Sequence, residues 1–81
     1  MTIRVKLFAI LRDKAGVAEL PLDVPEGARV ADAVESLLAR HPDLRPFANR
    51  IAFAVNLSRV DANAPLKHND ELALLPPVSG G

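Results

Sequence analysis

Eighty-one residues, 49% of them hydrophobic and 25% charged, with ten basic and ten acidic side chains and a net charge of zero, describe one small globular domain with room for a single modest core. The charge balance lacks the excess of Lys and Arg that nucleic-acid binding uses, and the absence of cysteine excludes disulfides, thiolate metal sites and a cysteine nucleophile. The opening segment is apolar but interrupted by Arg4, Lys6, Arg12 and Asp13, which fits neither a signal peptide nor a membrane span, so a cytoplasmic protein is expected.

In chain order, Ile3-Arg4-Val5-Lys6-Leu7 alternates apolar and charged residues with the two-residue period of a half-buried strand. Ile3, Val5 and Leu7 should face the core, and Phe8 the other way. Residues 10–15 read as a short helical turn closed by Gly16. Leu20, Leu22 and Val24 then alternate with Glu19, Pro21 and Asp23, a second strand paired with the first as a hairpin. Pro21 cannot donate a ladder hydrogen bond, which places this strand at a sheet edge or turns its amide position outward.

From Val30 to Arg40 the apolar residues Val30, Ala33, Val34, Leu37 and Leu38 form the stripe of a helix with one buried face, and Pro42 stops it. Its entry has Ala28 or Arg29 where a Ser or Thr cap is expected; Asp32 and Glu35 complement the dipole instead. Ile51 to Leu57 is an apolar run broken only by Asn56, which suits a central strand buried on both faces. Glu71 to Leu75 is the last strand. His41, beside Pro42, and His68, in the turn-like Lys67-His68-Asn69-Asp70, have no partners at metal-ligand spacing and read as solvated surface residues. Asp70 and Glu71 are adjacent, so in a strand they point to opposite faces and make no carboxylate pair.

The resulting order, strand, strand, helix, strand, strand, is an α+β layout: a mixed sheet of four to five strands with one main helix on one face. With the first and last strands side by side in the middle and the helix crossing between hairpins, the topology is a β-grasp, or ubiquitin-like, one. The domain is expected over residues 1–75, with 76–81 as an extended tail.

The sequence holds no Ser-His-Asp arrangement with motif support, no glycine-rich phosphate loop and no paired carboxylates in an apolar setting. The unusual feature is the ending Leu74-Leu75-Pro76-Pro77-Val78-Ser79-Gly80-Gly81. At a typical glycine usage of about 7%, chance places two glycines at the end of roughly 0.5% of chains. Pro76 and Pro77 project the tail in an extended conformation, and glycines beyond them lack side chains that would bar a narrow channel. Such a tail can deliver its own carboxyl group into another protein's active site; the competing reading is a frayed end.

The segments Val5-Lys6-Leu7-Phe8-Ala9 with Leu11-Arg12 and Ala15-Gly16, Pro25-Glu26-Gly27-Ala28 with Val30-Ala31-Asp32, Ala54-Val55-Asn56, and Asp70-Glu71-Leu72-Ala73 running into PPVSGG span almost the whole chain. Together they resemble the MoaD family, the small, sulfur-carrying subunit of molybdopterin synthase. Arg29 in place of a capping threonine, Asn69 in place of a glycine, and Leu57-Ser58-Arg59 at a turn depart from that pattern, the last bearing on partner contacts.

The resemblance implies that Gly81, with Gly80 before it, carries the chemistry. A MoeB-like activating enzyme would use ATP to adenylate the Gly81 carboxylate, and a sulfurtransfer system would convert it to a thiocarboxylate. The tail would then enter a MoaE-like large subunit, in a heterotetramer, and give sulfur to cyclic pyranopterin monophosphate. The chain itself would bind no cofactor and have no catalytic site. Phe8 and Leu75, on adjacent strands of the sheet face away from the helix, are expected to bind the partner together with Pro76, Pro77, Val78 and Ser79; the alternative for the first two is a small second core. Rival functions are a ThiS-like carrier or one serving tRNA thiolation or cysteine synthesis, a ubiquitin-like protein modifier, and an interaction module with an inert tail.

Overall fold

The computed structural model describes residues 1–76. Its elements are β1 (Thr2–Leu7), α1 (Ala9–Ala15), β2 (Glu19–Asp23), α2 (Val30–Arg40), a 3-10 segment (Pro42–Arg50), β3 (Ala52–Val55), β4 (Ser58–Val60) and β5 (Glu71–Leu75). The strands form one five-stranded sheet in the order β2-β1-β5-β3-β4. The first and last strands lie side by side and parallel, with Val5 beside Leu72 and Leu7 beside Leu74; the other pairings are antiparallel. This is the β-grasp expected from the element order.

Period-2 alternation decides which residues meet α2. Ile3, Val5 and Leu7 of β1, Leu20 and Leu22 of β2, and Leu72 and Leu74 of β5 turn to the same side and are buried. The five apolar residues of the α2 stripe cover them, each buried as its spacing requires. Leu11 from α1 and Leu44 from the 3-10 segment complete one apolar core that contains no buried polar side chain among the described residues.

The ends of the elements follow from local chemistry. Gly16 caps α1 at φ +80°, its N–H donating to the Arg12 carbonyl, a left-handed position that glycine adopts without steric cost. Arg29 caps α2 but has no side-chain acceptor, so only the reciprocal half of a capping box forms: the Arg29 N–H donates to Asp32 Oδ2 at 2.8 Å. The next two helical N–H groups are satisfied by the loop before β5, Val30 donating to the Ala64 carbonyl and Ala31 to that of Ala62. In the first hairpin, the Leu7 N–H donates to the Ala18 carbonyl and that of Val24 to Met1. Counting in twos from these, Arg4 and Pro21 form a non-hydrogen-bonded pair. The missing N–H of Pro21 therefore faces outward on an edge strand, as its ring demands.

Three expectations need correction. The run Ile51–Leu57 is not a central strand buried on both faces: β5 is central, β3 ends at Val55, and Asn56 and Leu57 turn the chain into β4. Both turn residues have positive φ, 50° and 73°, as a two-residue type I′ hairpin requires. Residues 42–50, for which the sequence predicts no element, form a 3-10 segment that buries Leu44. His41 is half-buried at the end of α2 rather than solvated; His68 is exposed, as expected, and accepts a hydrogen bond from the Thr2 N–H on Nδ1 at 3.1 Å.

Candidate functional site

Among the described residues, no element lies over the sheet face away from α2. In β1 it presents Arg4 and Lys6; in β5, Glu71, Ala73 and Leu75; in β3, Ala52 and Ala54; in β4, Arg59. Three rows cross it. Arg4 stands beside Glu71, with Arg4 Nε 3.0 Å from the Glu19 carboxylate on the neighbouring strand. Next, Lys6, Ala73, Ala54 and Arg59 lie in register, and Lys6 Nζ reaches back to Glu71 at 3.4 Å. In the third row Leu75 is beside Ala52, and one step beyond the Leu7–Leu74 pair brings Phe8 next to Leu75.

Phe8 and Leu75 are thus on adjacent strands at the end where β5 leaves the sheet. Phe8 is extended, the residue before α1, and is 42% exposed. Ala9 immediately after it holds φ +49°, a region sparsely used by residues other than glycine. That sharp turn carries the chain from strand to helix in one step and leaves the Phe8 ring outside the core. Leu75 and Pro76 are half-buried. Of the other expected site residues, Pro77, Val78, Ser79, Gly80 and Gly81 lie outside the described residues.

The opposite end of the face is fixed by Asn56. Its N–H donates to the Glu71 carbonyl at 2.9 Å, its Oδ1 accepts from the Glu71 N–H at 3.0 Å, and its Nδ2 donates to Asp70 Oδ1 at 2.9 Å. Asp70 Oδ2 in turn accepts from the Lys67 N–H at 2.8 Å. Asp70 is a turn residue and Glu71 an ion-pair partner of Lys6. Asn69 takes φ +70° where a glycine was anticipated. The alanine row escaped the sequence reading, and Arg59, singled out there as bearing on partner contacts, was not placed on this face, because only the strand register shows that they share it with Phe8 and Leu75.

Among the described residues no group of acidic or histidine side chains could hold a metal ion, and no helix is long and apolar enough to cross a membrane. An apolar groove of about 520 Å³ on the helix side, lined by residues including Val34, Leu38, Ile51 and Phe53, has only Glu35 and Arg45 as charged neighbours. Neither it nor the open face assembles a nucleophile with a base.

A β-grasp sheet with one face under a helix and the other bare defines a ubiquitin-like protein. Residues 5–81 match the model of the ThiS family, and the chain belongs to that family. It is 37% identical to the molybdopterin synthase sulfur carrier subunit of Chlamydomonas reinhardtii, over 100% of both chains. It is 40% identical to small archaeal modifier protein 1 of Haloferax volcanii, covering 94% of this chain and 97% of that one. The crystal structure of SAMP1 from the same organism superposes with a TM-score of 0.89 at 36% identity over 100% of both chains. A chain in the complex of subunits 1 and 2 of the molybdopterin-converting factor of Helicobacter pylori superposes with a TM-score of 0.72 at 26% identity, again over 100% of each. The likeness is to sulfur carriers of the ThiS and MoaD type, in fold and along the whole sequence.

Proposed function

We propose that the chain is the sulfur carrier of a molybdopterin synthase, with the reactive group on Gly81. A carboxylate is a poor electrophile, so an adenylating enzyme of the MoeB kind would join it to AMP from ATP, releasing pyrophosphate. Sulfur from a donor then displaces AMP and leaves a thiocarboxylate. The large subunit, MoaE-like, receives the tail in its own active site and transfers that sulfur to cyclic pyranopterin monophosphate, two rounds completing the dithiolene. The carrier supplies no acid, base or metal; Phe8 and Leu75 dock it, and Pro76 to Gly80 thread the carboxyl end inward.

The observation that carries this reading is the extent of the likeness: the family match runs from the first strand through Gly81. The docking part gains support from the bare face, whose apolar end lies where β5 gives way to the tail. The test incubates the protein with the activating enzyme, ATP and a sulfur donor, looks by mass spectrometry for sulfur replacing oxygen at the C-terminus, and then adds the large subunit and precursor. Dithiolene should form only with all components, and not when Gly81 is deleted. Undiminished sulfur transfer by the truncated chain would refute the assignment.

A second reading has its own support. The likeness to a small archaeal modifier protein fits a chain whose Gly81 is joined to lysines of other proteins. Isopeptide-linked adducts recovered from cells, absent when Gly81 is deleted, would establish that use beside or instead of sulfur transfer.

A further inference from the structure

Leu7 and Leu11 are both fully buried, and the chain between them has only Phe8, Ala9 and Ile10 in which to leave β1 and enter α1. Both ends of this link are fixed. The Leu7 N–H donates to the Ala18 carbonyl at 2.8 Å, and the Phe8 carbonyl accepts from the Leu11 N–H at 3.0 Å and the Arg12 N–H at 3.4 Å. Phe8 is extended, at φ −126° and ψ 152°, so the reversal falls on Ala9, at φ +49°. Phe8 and Ile10, to either side of it, turn outward and are 42% and 36% exposed.

Ala9 is itself exposed and stands outside the core, so its methyl group adds no burial. At the other end of α1 the same left-handed requirement is met by Gly16, at φ +80°. Glycine enters the positive-φ half of the map freely, whereas a residue with a Cβ has only one small and strained well there. For the fold alone, glycine would be the better residue at position 9. What the methyl group adds is restriction: the link from Leu7 to Leu11 keeps one path, and Phe8 leaves it in one direction. Backbone strain that the core does not need, held beside an exposed aromatic ring, points to a pre-organised contact.

Resting on the carrier reading, we infer that Ala9 is a positioning residue: its left-handed turn holds Phe8 in the orientation that the large subunit meets, and stability given up at the turn is returned as affinity. A ring that is ordered before contact does not have to be ordered by the partner. Glycine in the same place would let the link take several paths, each aiming the ring differently. Binding should then weaken while stability does not.

The test compares the full chain with its Ala9→Gly variant, using the large subunit from the same source. The urea midpoint should be unchanged or higher, since relief of strain offsets the greater freedom of glycine in the unfolded chain. By calorimetry Kd should rise about three- to tenfold, as expected when one side chain must be ordered on binding. Ring-carbon relaxation should show Phe8 less ordered in the free variant than in the wild type. In a Phe8→Ala background, where Leu75 and the threaded tail remain as contacts, the same glycine should change Kd by less than about twofold. A Kd for Ala9→Gly within about twofold of the wild type, an equal effect with and without the Phe8 ring, or a lowered urea midpoint each overturns this inference and leaves the carrier reading standing. No binding by the wild-type chain overturns both.

Discussion

The two faces of the sheet are made by alternate residues of the same strands, yet they have opposite characters. Toward α2, β1 and β5 contribute Ile3, Val5, Leu7, Leu72 and Leu74, none more than 2% exposed. Away from it they contribute Arg4, Lys6, Glu71, Ala73 and Leu75, with Phe8 at the margin. The first face is complete, since its helix is part of the chain. The second has small side chains, of which Ala54 is only 8% exposed, charges, and two large apolar residues, Phe8 exposed and Leu75 half-buried, with no helix over them among the described residues. A one-residue slip of either strand would exchange the two sets, so the strong apolar side fixes the register that also assembles the weak side. On the proposed carrier reading, stability and recognition are therefore separable by position along a single strand.

The largest effect should come from the covered face. Leu74 has no exposed surface and touches the middle of the core; Leu74→Ala removes buried methyl groups and leaves a cavity, at about 2–5 kcal/mol. At roughly 4–8 °C per kcal/mol for a domain of this size, the melting temperature should fall by about 10 °C or more. A shift of about a degree would mean that the two faces are less distinct than their burial indicates. The adjacent residue gives the contrast: Leu75, on the same strand, faces the open side and is only half-buried.

Phe8→Asp is the matching change on the open face. It should reduce binding of the large subunit to below detection while altering stability by about 1 kcal/mol or less, because the ring is already 42% exposed. Unfolding of this variant would show that Phe8 belongs to a second small core, and the division of labour between faces would fail.

Much of this division is legible in the sequence, for reasons tied to particular residues. The stripe Val30, Ala33, Val34, Leu37, Leu38 predicts α2 because one helical period accounts for every apolar residue in it. The alternation around Arg4 and Lys6 predicts which side of β1 is buried, and Pro21 predicts the edge. The second hairpin was hidden by its own composition. Ala52 and Ala54 count as apolar although they face the open side, and Phe53 and Val55 face the core, so the run looks buried all round. Its turn carries Leu57 where glycine would have announced it. Pro42 and Pro46 mark a helix's end equally well whether loop or 3-10 turns follow, and only the packing of Leu44 selects the latter. The placement of Phe8 and Leu75 on adjacent strands is legible in the sequence, whereas Arg59 is legible only as a departure at a turn, because its place on the same face comes from a hairpin register that no local signal specifies.

A smaller effect probes the clamp at the far end of the open face. Asn56→Ala loses two side-chain hydrogen bonds and puts alanine at φ +50°, at about 1–2 kcal/mol. Asn56→Gly keeps the backbone freedom and should lose less. Chemical denaturation of both variants separates the hydrogen bonds from the backbone preference; equal losses would assign the whole effect to the hydrogen bonds.

The smallest effect, and the only stabilising one, is expected at Leu57. Its side chain is 91% exposed, so it contributes almost no burial, while its φ of +73° lies where an L-residue with a Cβ is strained. A left-handed residue costs about 1–2 kcal/mol, and glycine returns roughly 0.5–1 kcal/mol of that through its greater freedom in the unfolded chain. Leu57→Gly also creates Asn-Gly, the preferred pair for a type I′ turn. The balance is a gain of about 0.5–1 kcal/mol, read as a higher urea midpoint with an unchanged slope. A loss would show that the leucine makes contacts beyond its exposed position at the hairpin tip. A gain accompanied by weaker binding of the large subunit would extend the recognition face from Phe8 and Leu75, past Arg59, to that tip, and would identify the strain at Leu57 as a cost accepted for contact with the partner.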